Sequence, residues 1–199
     1  MKNVPFVLLL TLLALVSCQK EPIPKDPSPP IPDPPIYVPI FEPGDTSKGA
    51  AYANKLTALW SAGTYCKRSI YDSTKLLLTL FTYTPVGSRR ESLSLSLFSS
   101  QNPGVYKLLP SGNSLIPSIE EVLTAYGTWS SDGDVVEDGY RVDTTDVKNT
   151  LVITKIDLAN KRVEGNFHVS YNIREPRINP ANPKKVTFSE GRFWADIRE

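Results

Sequence analysis

Between Ser92 and Leu97 the sequence alternates serine and leucine at every step. A period of two sends Leu93, Leu95 and Leu97 to one face of an extended chain and Ser92, Ser94 and Ser96 to the other, the pattern of a half-buried β-strand rather than of a helix. The same reading extends in both directions. Lys75 to Thr84 is a more apolar strand, and Pro85-Val86-Gly87-Ser88 supplies turn residues between the two. Leu151 to Ile156 and Val163 to Tyr171 flank Asp157-Leu158-Ala159-Asn160-Lys161 as a hairpin. In the second of these, Val163, Gly165, Phe167, Val169 and Tyr171 share a face, so the single histidine, His168, points outward with Glu164, Asn166 and Ser170. The last strand, Lys185 to Ile197, changes phase between Phe188 and Phe193. A bulge at Glu190-Gly191 reconciles its halves and turns Trp194 outward.

Two segments read both ways. Tyr52, Leu56, Leu59 and Trp60 have helical spacing, yet Asn54-Lys55 equally suits the turn of a hairpin. Ser118 with Glu121 forms a weak capping box, consistent with one helical turn before a strand containing Tyr126 and Trp129. Many short strands between Gly, Pro, Asn and Asp clusters, without an internal repeat, predict an all-β fold. An antiparallel sandwich or an open barrel with a short helical turn fits best.

Ahead of this domain the composition changes abruptly. Lys2 precedes an apolar run from Phe6 to Val16, too short to span a bilayer, which takes about 20 residues. It ends in Leu15-Val16-Ser17-Cys18, which resembles the lipobox of bacterial lipoproteins. That resemblance implies diacylglycerol on the Cys18 thiol, cleavage before it and acylation of the new amino terminus, an anchor that multiple acyl chains make effectively permanent. From Glu21 to Pro43 proline recurs at nearly every second or third place. Each proline removes an amide donor and holds its predecessor extended, so the run is a polyproline II spacer reaching up to roughly 70 Å. The expected organisation is a signal peptide over 1–17, a lipidated cysteine and stalk over 18–44, and an all-β domain over 45–199.

The chain has 22 basic and 21 acidic residues, and cleavage before Cys18 removes Lys2, leaving a formally neutral product. No cluster of Lys and Arg interleaved with aromatics suggests nucleic acid. Cys66 is then the only unmodified cysteine, which excludes an intramolecular disulfide and suits a small buried hydrophobe.

Gly104-Val105-Tyr106-Lys107-Leu108, Val152 to Asp157, Lys161 to Phe167 and Val186 to Phe193 together resemble an uncharacterised β-rich lipoprotein family of Bacteroidota. In that family a Gly-x-Tyr strand precedes a hairpin ending in Gly-x-Phe, and the terminal strand repeats Gly-x-Phe. The resemblance covers mainly the half after Gln101. It implies an exported all-β domain and assigns no catalytic residue.

Enzyme signatures are sparse. One histidine leaves no metal cluster of the Cys/His kind, and neither a nucleophile elbow nor a glycine-rich phosphate loop is present. Two carboxylates placed by the fold would still serve a hydrolase, which stands as a third reading. Asp132, Asp134, Glu137 and Asp138 concentrate oxygen ligands near Gly133 and Gly139, partial calcium chemistry in spacing that also suits an acidic turn. Tyr126, Trp129, Tyr140 and Trp194 are candidates for an exposed platform holding sugar rings or a protein partner. The first expectation is therefore a non-catalytic binding module for a glycan or protein, with a structural or assembly role at an envelope complex as the alternative. The membrane is engaged through the lipid on Cys18, no other cofactor being expected. Lys20-Glu21 resembles a surface-export tether of Bacteroidota lipoproteins, and no Asp follows Cys18 as in inner-membrane retention, although Pro22 stands where a second acidic residue would strengthen the match. That implies an outer-membrane lipoprotein facing the cell surface, with a periplasm-facing one as the alternative.

Overall fold

A computed structural model describes residues 42–112 and 117–198. The signal segment, Cys18, Lys20, Glu21 and nearly all of the proline run lie outside the described residues. The period-two segments form ten strands: β1 (Gly49–Lys55), β2 (Ala58–Arg68), β3 (Lys75–Tyr83), β4 (Arg89–Ser99), β5 (Gly104–Pro110), β6 (Glu121–Trp129), β7 (Val136–Val142), β8 (Thr150–Asp157), β9 (Arg162–Ile173) and β10 (Lys185–Arg198). No helix occurs among the described residues, and the all-β class is as expected.

Antiparallel pairing runs from β1 through β2, β3 and β4 to β6. From β6 the wall divides. Its last residues, Tyr126 to Trp129, pair with β7, while Glu121 to Thr124 pair in parallel with β5, which leads on to β8. Both routes rejoin at β9, and β10 then returns the pairing to β1 and β2. Among the described residues every strand thus has a neighbour on each side, which removes the exposed edges that invite further pairing. The sheet is mixed, not purely antiparallel, and its doubled section makes it irregular rather than a regular barrel.

The inside is filled. Leu76, Leu78 and Leu80 of β3 and Leu93, Leu95 and Phe98 of β4 are fully buried. Tyr126 packs against Tyr140 and Phe188 at centroid distances of 4.9 and 5.2 Å, and Trp60 meets Phe188 edge-on at 4.9 Å. Leu97 corrects the simple alternation. It sits in the left-handed region at φ 72° within a bulge between Leu76 and Leu77, so Phe98 takes the inward place expected for it. The expected bulge in β10 lies between Phe188 and Gly191, with Glu190 at φ 54°. Glycine is needed beside it because a Cβ on Gly191 would fall 2.6 Å from the Phe167 ring. The β1–β2 hairpin turns at Leu56-Thr57, two residues beyond Asn54-Lys55, and no helix forms there. Only half of the capping box forms: Ser118 N donates to Glu121 Oε2 at 3.0 Å, whereas Glu121 N donates to the Ser118 backbone carbonyl at 3.1 Å and not to its hydroxyl. They close a turn that enters β6 directly rather than a helix.

Candidate functional site: an aromatic and arginine groove

Because even-numbered residues of β3 face the core, Phe81 and Tyr83 face outward. The register aligns Phe81 with Gly63 of β2 and Ser92 of β4, and Ser92 with Gly127 of β6. Small neighbours on both sides leave room for large planar groups to lie against the sheet. Trp129 Nε1 donates to Ser92 Oγ at 3.0 Å, which fixes that indole. The Arg89 guanidinium then lies 4.4 Å from the Phe81 ring centroid and 4.7 Å from that of Trp129. Farther along, Arg198 stacks on Tyr65 at 4.7 Å. Each stack is worth about 0.5–1 kcal/mol at an exposed site and holds a long side chain in one orientation.

The segment leading into the domain supplies a second wall. Glu42 and Tyr83 exchange backbone hydrogen bonds at 2.9 and 2.8 Å. Pro43 and Asp45 cross so close to β2 that a Cβ on Gly63 would lie 2.5 Å from the Pro43 carbonyl. A groove of about 730 Å3 results, lined by Glu42, Asp45, Tyr65, Phe81, Arg89 and Arg198 among others. Hydrogen bonds from Ser47, helped by the Arg198 charge, hold the Asp45 carboxyl below its ordinary value, so it is an acceptor at neutral pH. Among the described residues neither Arg89 nor Arg198 donates a side-chain hydrogen bond or pairs with a carboxylate, and Arg89 Nε is buried without a partner. The groove offers donors and acceptors. No histidine or cysteine lines it, so it lacks a thiol or imidazole for catalysis.

A different polar cluster lies inside the wall. The buried Glu91 carboxylate meets Lys55 and accepts from Trp60 Nε1 at 2.8 Å, Thr82 Oγ1 at 3.0 Å and Tyr126 OH at 2.5 Å. Burial pushes the Glu91 carboxyl up, and the Lys55 charge with these hydrogen bonds more than reverses this, leaving it below the ordinary carboxylate value. Burial and the neighbouring Glu91 raise Tyr126 well above its ordinary value. Every group here has its partner, the condition under which a buried charge is tolerated.

The candidate platform residues are not brought together. Tyr126 and Tyr140 are 3% and 1% exposed and belong to the core, a correction that follows from their phase with Val122 and Val142. Trp129 and Trp194 do face outward, Trp129 beside the groove and Trp194 beneath Arg162 at 4.2 Å. The carboxylates near Gly133 also separate. Asp132 and Asp134 sit in an exposed turn, where Asp132 accepts from Ser130 Oγ and from Asp134 N. Asp138 is buried and accepts from Ile178 N at 2.7 Å, Asn179 N at 3.1 Å and Asn182 Nδ2 at 2.7 Å. Glu137 accepts from the same two asparagines, so this pair holds the β9–β10 connection. Among the described residues no group of three or more His, Cys, Asp or Glu side chains converges as metal ligands. Cys66 is fully buried, and burial pushes its thiol up to about 12. His168 lies outward, 3.6 Å from Asp146 Oδ2.

No protein-family model, no curated protein and no solved structure matches this chain.

Phe81, Tyr83, Arg89 and Arg198 were not singled out by the sequence reading. Their signal was the outward phase of two aromatics in a strand whose other face is all leucine and threonine. The entry segment, which makes the patch a groove, has no such signature.

Proposed function

We propose that the chain is an exported lipoprotein, anchored through Cys18, whose all-β domain is a non-catalytic binding module for a glycan. The groove between Glu42–Asp45 and the outer face of β2 and β3 carries this reading. It combines planar side chains with stacked donors, Arg89 and Arg198, and with the carboxylate acceptors Glu42 and Asp45. A ring bearing many hydroxyls both donates and accepts, and so uses both kinds of group. A peptide added as an extra strand is less well served, because each described strand is already paired on both sides. The resemblance to Bacteroidota lipoproteins and Lys20-Glu21 support display at the outer surface of the outer membrane, with the proline run as the spacer.

Binding of the purified chain to an oligosaccharide array, with Arg89→Ala and Phe81→Ala as comparisons, tests the module. Retained binding by both variants, or no binding at all, refutes it. Cys18→Ser tests the anchor through release from the membrane fraction. Proteinase added to intact cells tests display: the wild-type domain is digested, and Lys20→Ala with Glu21→Ala protects it.

A specific observation favours a second reading, an accessory of an envelope complex. Ile70 and Tyr71, at the β2–β3 connection, are 81% and 91% exposed, an apolar tip suited to a protein partner. Capture of envelope proteins that Ile70→Ser with Tyr71→Ser abolishes, with no glycan bound, would select it.

A further inference from the structure

We infer that the ligand of this groove bears a carboxylate, an acidic saccharide such as a uronic-acid or sialic-acid oligosaccharide, and that Arg89 reads that carboxylate. The inference rests on the glycan-binding reading and narrows it. The Arg89 guanidinium carbon lies 4.4 Å from the Phe81 ring centroid and 4.7 Å from that of Trp129, so two aromatic rings crowd the group. Rings this close favour approach of a ligand along its edge, where the N–H groups lie in one plane. A carboxylate is the partner of that shape, because its two coplanar oxygens accept parallel N–H bonds. The edge is also unused. Nε is buried with no acceptor among the described residues, and the terminal nitrogens, which make no hydrogen bond there, are not buried with it. The terminal N–H groups, which are not buried, are the ones a bound carboxylate would take as two parallel bonds.

The remainder of the groove calls for hydroxyls rather than more anions. Glu42 and Asp45 stand opposite Arg89 and Arg198 in charge, so the lining sums to zero before any ligand enters. A dense polyanion would meet those two carboxylates unfavourably, whereas a sugar chain with a single acidic ring donates hydroxyls to them. The volume of about 730 Å3 falls in the range of roughly 300–1,000 Å3 usual for small-ligand sites.

The test uses the full chain in detergent solution, titrated with trisaccharides containing galacturonic, glucuronic or sialic acid, each as free acid and as methyl ester. A neutral and a sulfated trisaccharide complete the set. The expected result is that one free acid binds at least about tenfold more tightly than its ester and than the sulfated sugar. Arg89→Ala and Arg89→Lys should each remove that preference, since an ammonium lacks the planar fork. Arg162→Ala, which removes the separate stack on Trp194, should preserve it while lowering the melting temperature by no more than a few degrees. Equal binding of acid and ester, or binding of the neutral trisaccharide alone, overturns the carboxylate assignment and leaves the glycan module standing. A sulfated sugar bound as well as the acid overturns it too. Binding of none of these overturns it, and absence of binding across the wider array removes the module as well.

Discussion

Lys55 Nζ and Glu91 Oε1 meet inside the wall, where both side chains are almost wholly shielded from solvent. Removing one member of such a pair strands the other charge and costs about 3–5 kcal/mol. Lys55→Met should fall in that range in urea unfolding at neutral pH. Adding Glu91→Gln should restore about 1–2 kcal/mol, because the amide oxygen still accepts from Trp60 or Tyr126 and no charge is left unpaired. Strict additivity of the two changes would contradict the coupling.

Acid should unfold the domain through its carboxylates. Glu91 is held low despite burial by Lys55, Asp143 by hydrogen bonds from Lys185 and Thr145, and Asp146 by those from Ser170 and Lys148. Each folded value lies below the unfolded one. The stabilisation is therefore complete above the unfolded values, about 4, and is lost as pH falls through the folded values. The urea midpoint should be level from about pH 8 to 5 and fall steeply below about pH 4. Glu91→Gln should show a shallower acid limb than the parent, and an identical limb would remove Glu91 from this account.

How much was legible follows from what alternation can and cannot encode. Leu93 and Leu95 declared the inward face of β4, and Glu91 stands in the same phase, so a buried charge was implicit there. Its partner was not, since Lys55 comes from β1 and the two meet only because the wall closes. Phase also placed Trp194 outward and the bulge beside Gly191. It failed at Leu97, where a bulge lacks any glycine to announce it. The groove was the least legible feature. It needs Phe81, Trp129 and Arg89 from separate strands and an entry segment laid across Gly63, relations that depend on pairing order and register.

Cys66 should be inert while the domain is folded. It is completely buried and burial raises its thiol to about 12, so almost no thiolate exists at pH about 8. In a Cys18→Ser background an aromatic disulfide reagent should modify no thiol in native buffer and one per chain in denaturant. Rapid labelling in native buffer would show that β2 opens locally.

Gly63 links the entry segment to the groove, and alanine there should separate the fold from the site. Its backbone is not in the left-handed region, so β2 itself accepts an alanine without strain. The obstacle is across the face: the new Cβ would lie 2.5 Å from the Pro43 carbonyl and 3.0 Å from that of Asp45. The core is on the other side of β2, so the segment is the part that must move. Such overpacking costs about 1–3 kcal/mol, which leaves the domain folded. Moving Glu42 breaks its backbone bonds to Tyr83 and displaces one wall of the groove. Gly63→Ala should therefore keep the β-sheet circular dichroism and cooperative melting while a protease gains access near Glu42 to Lys48 and ligand affinity drops. Gly139→Ala is the matched control, since it lies in the same outward row through Gly127 and its Cβ would meet Arg174 Cδ at an ordinary 3.6 Å. That variant should show neither new cleavage nor lost affinity. If Gly63→Ala binds ligand as the parent does after cleavage at the segment, the groove has only the sheet as its floor and the entry segment is not its wall.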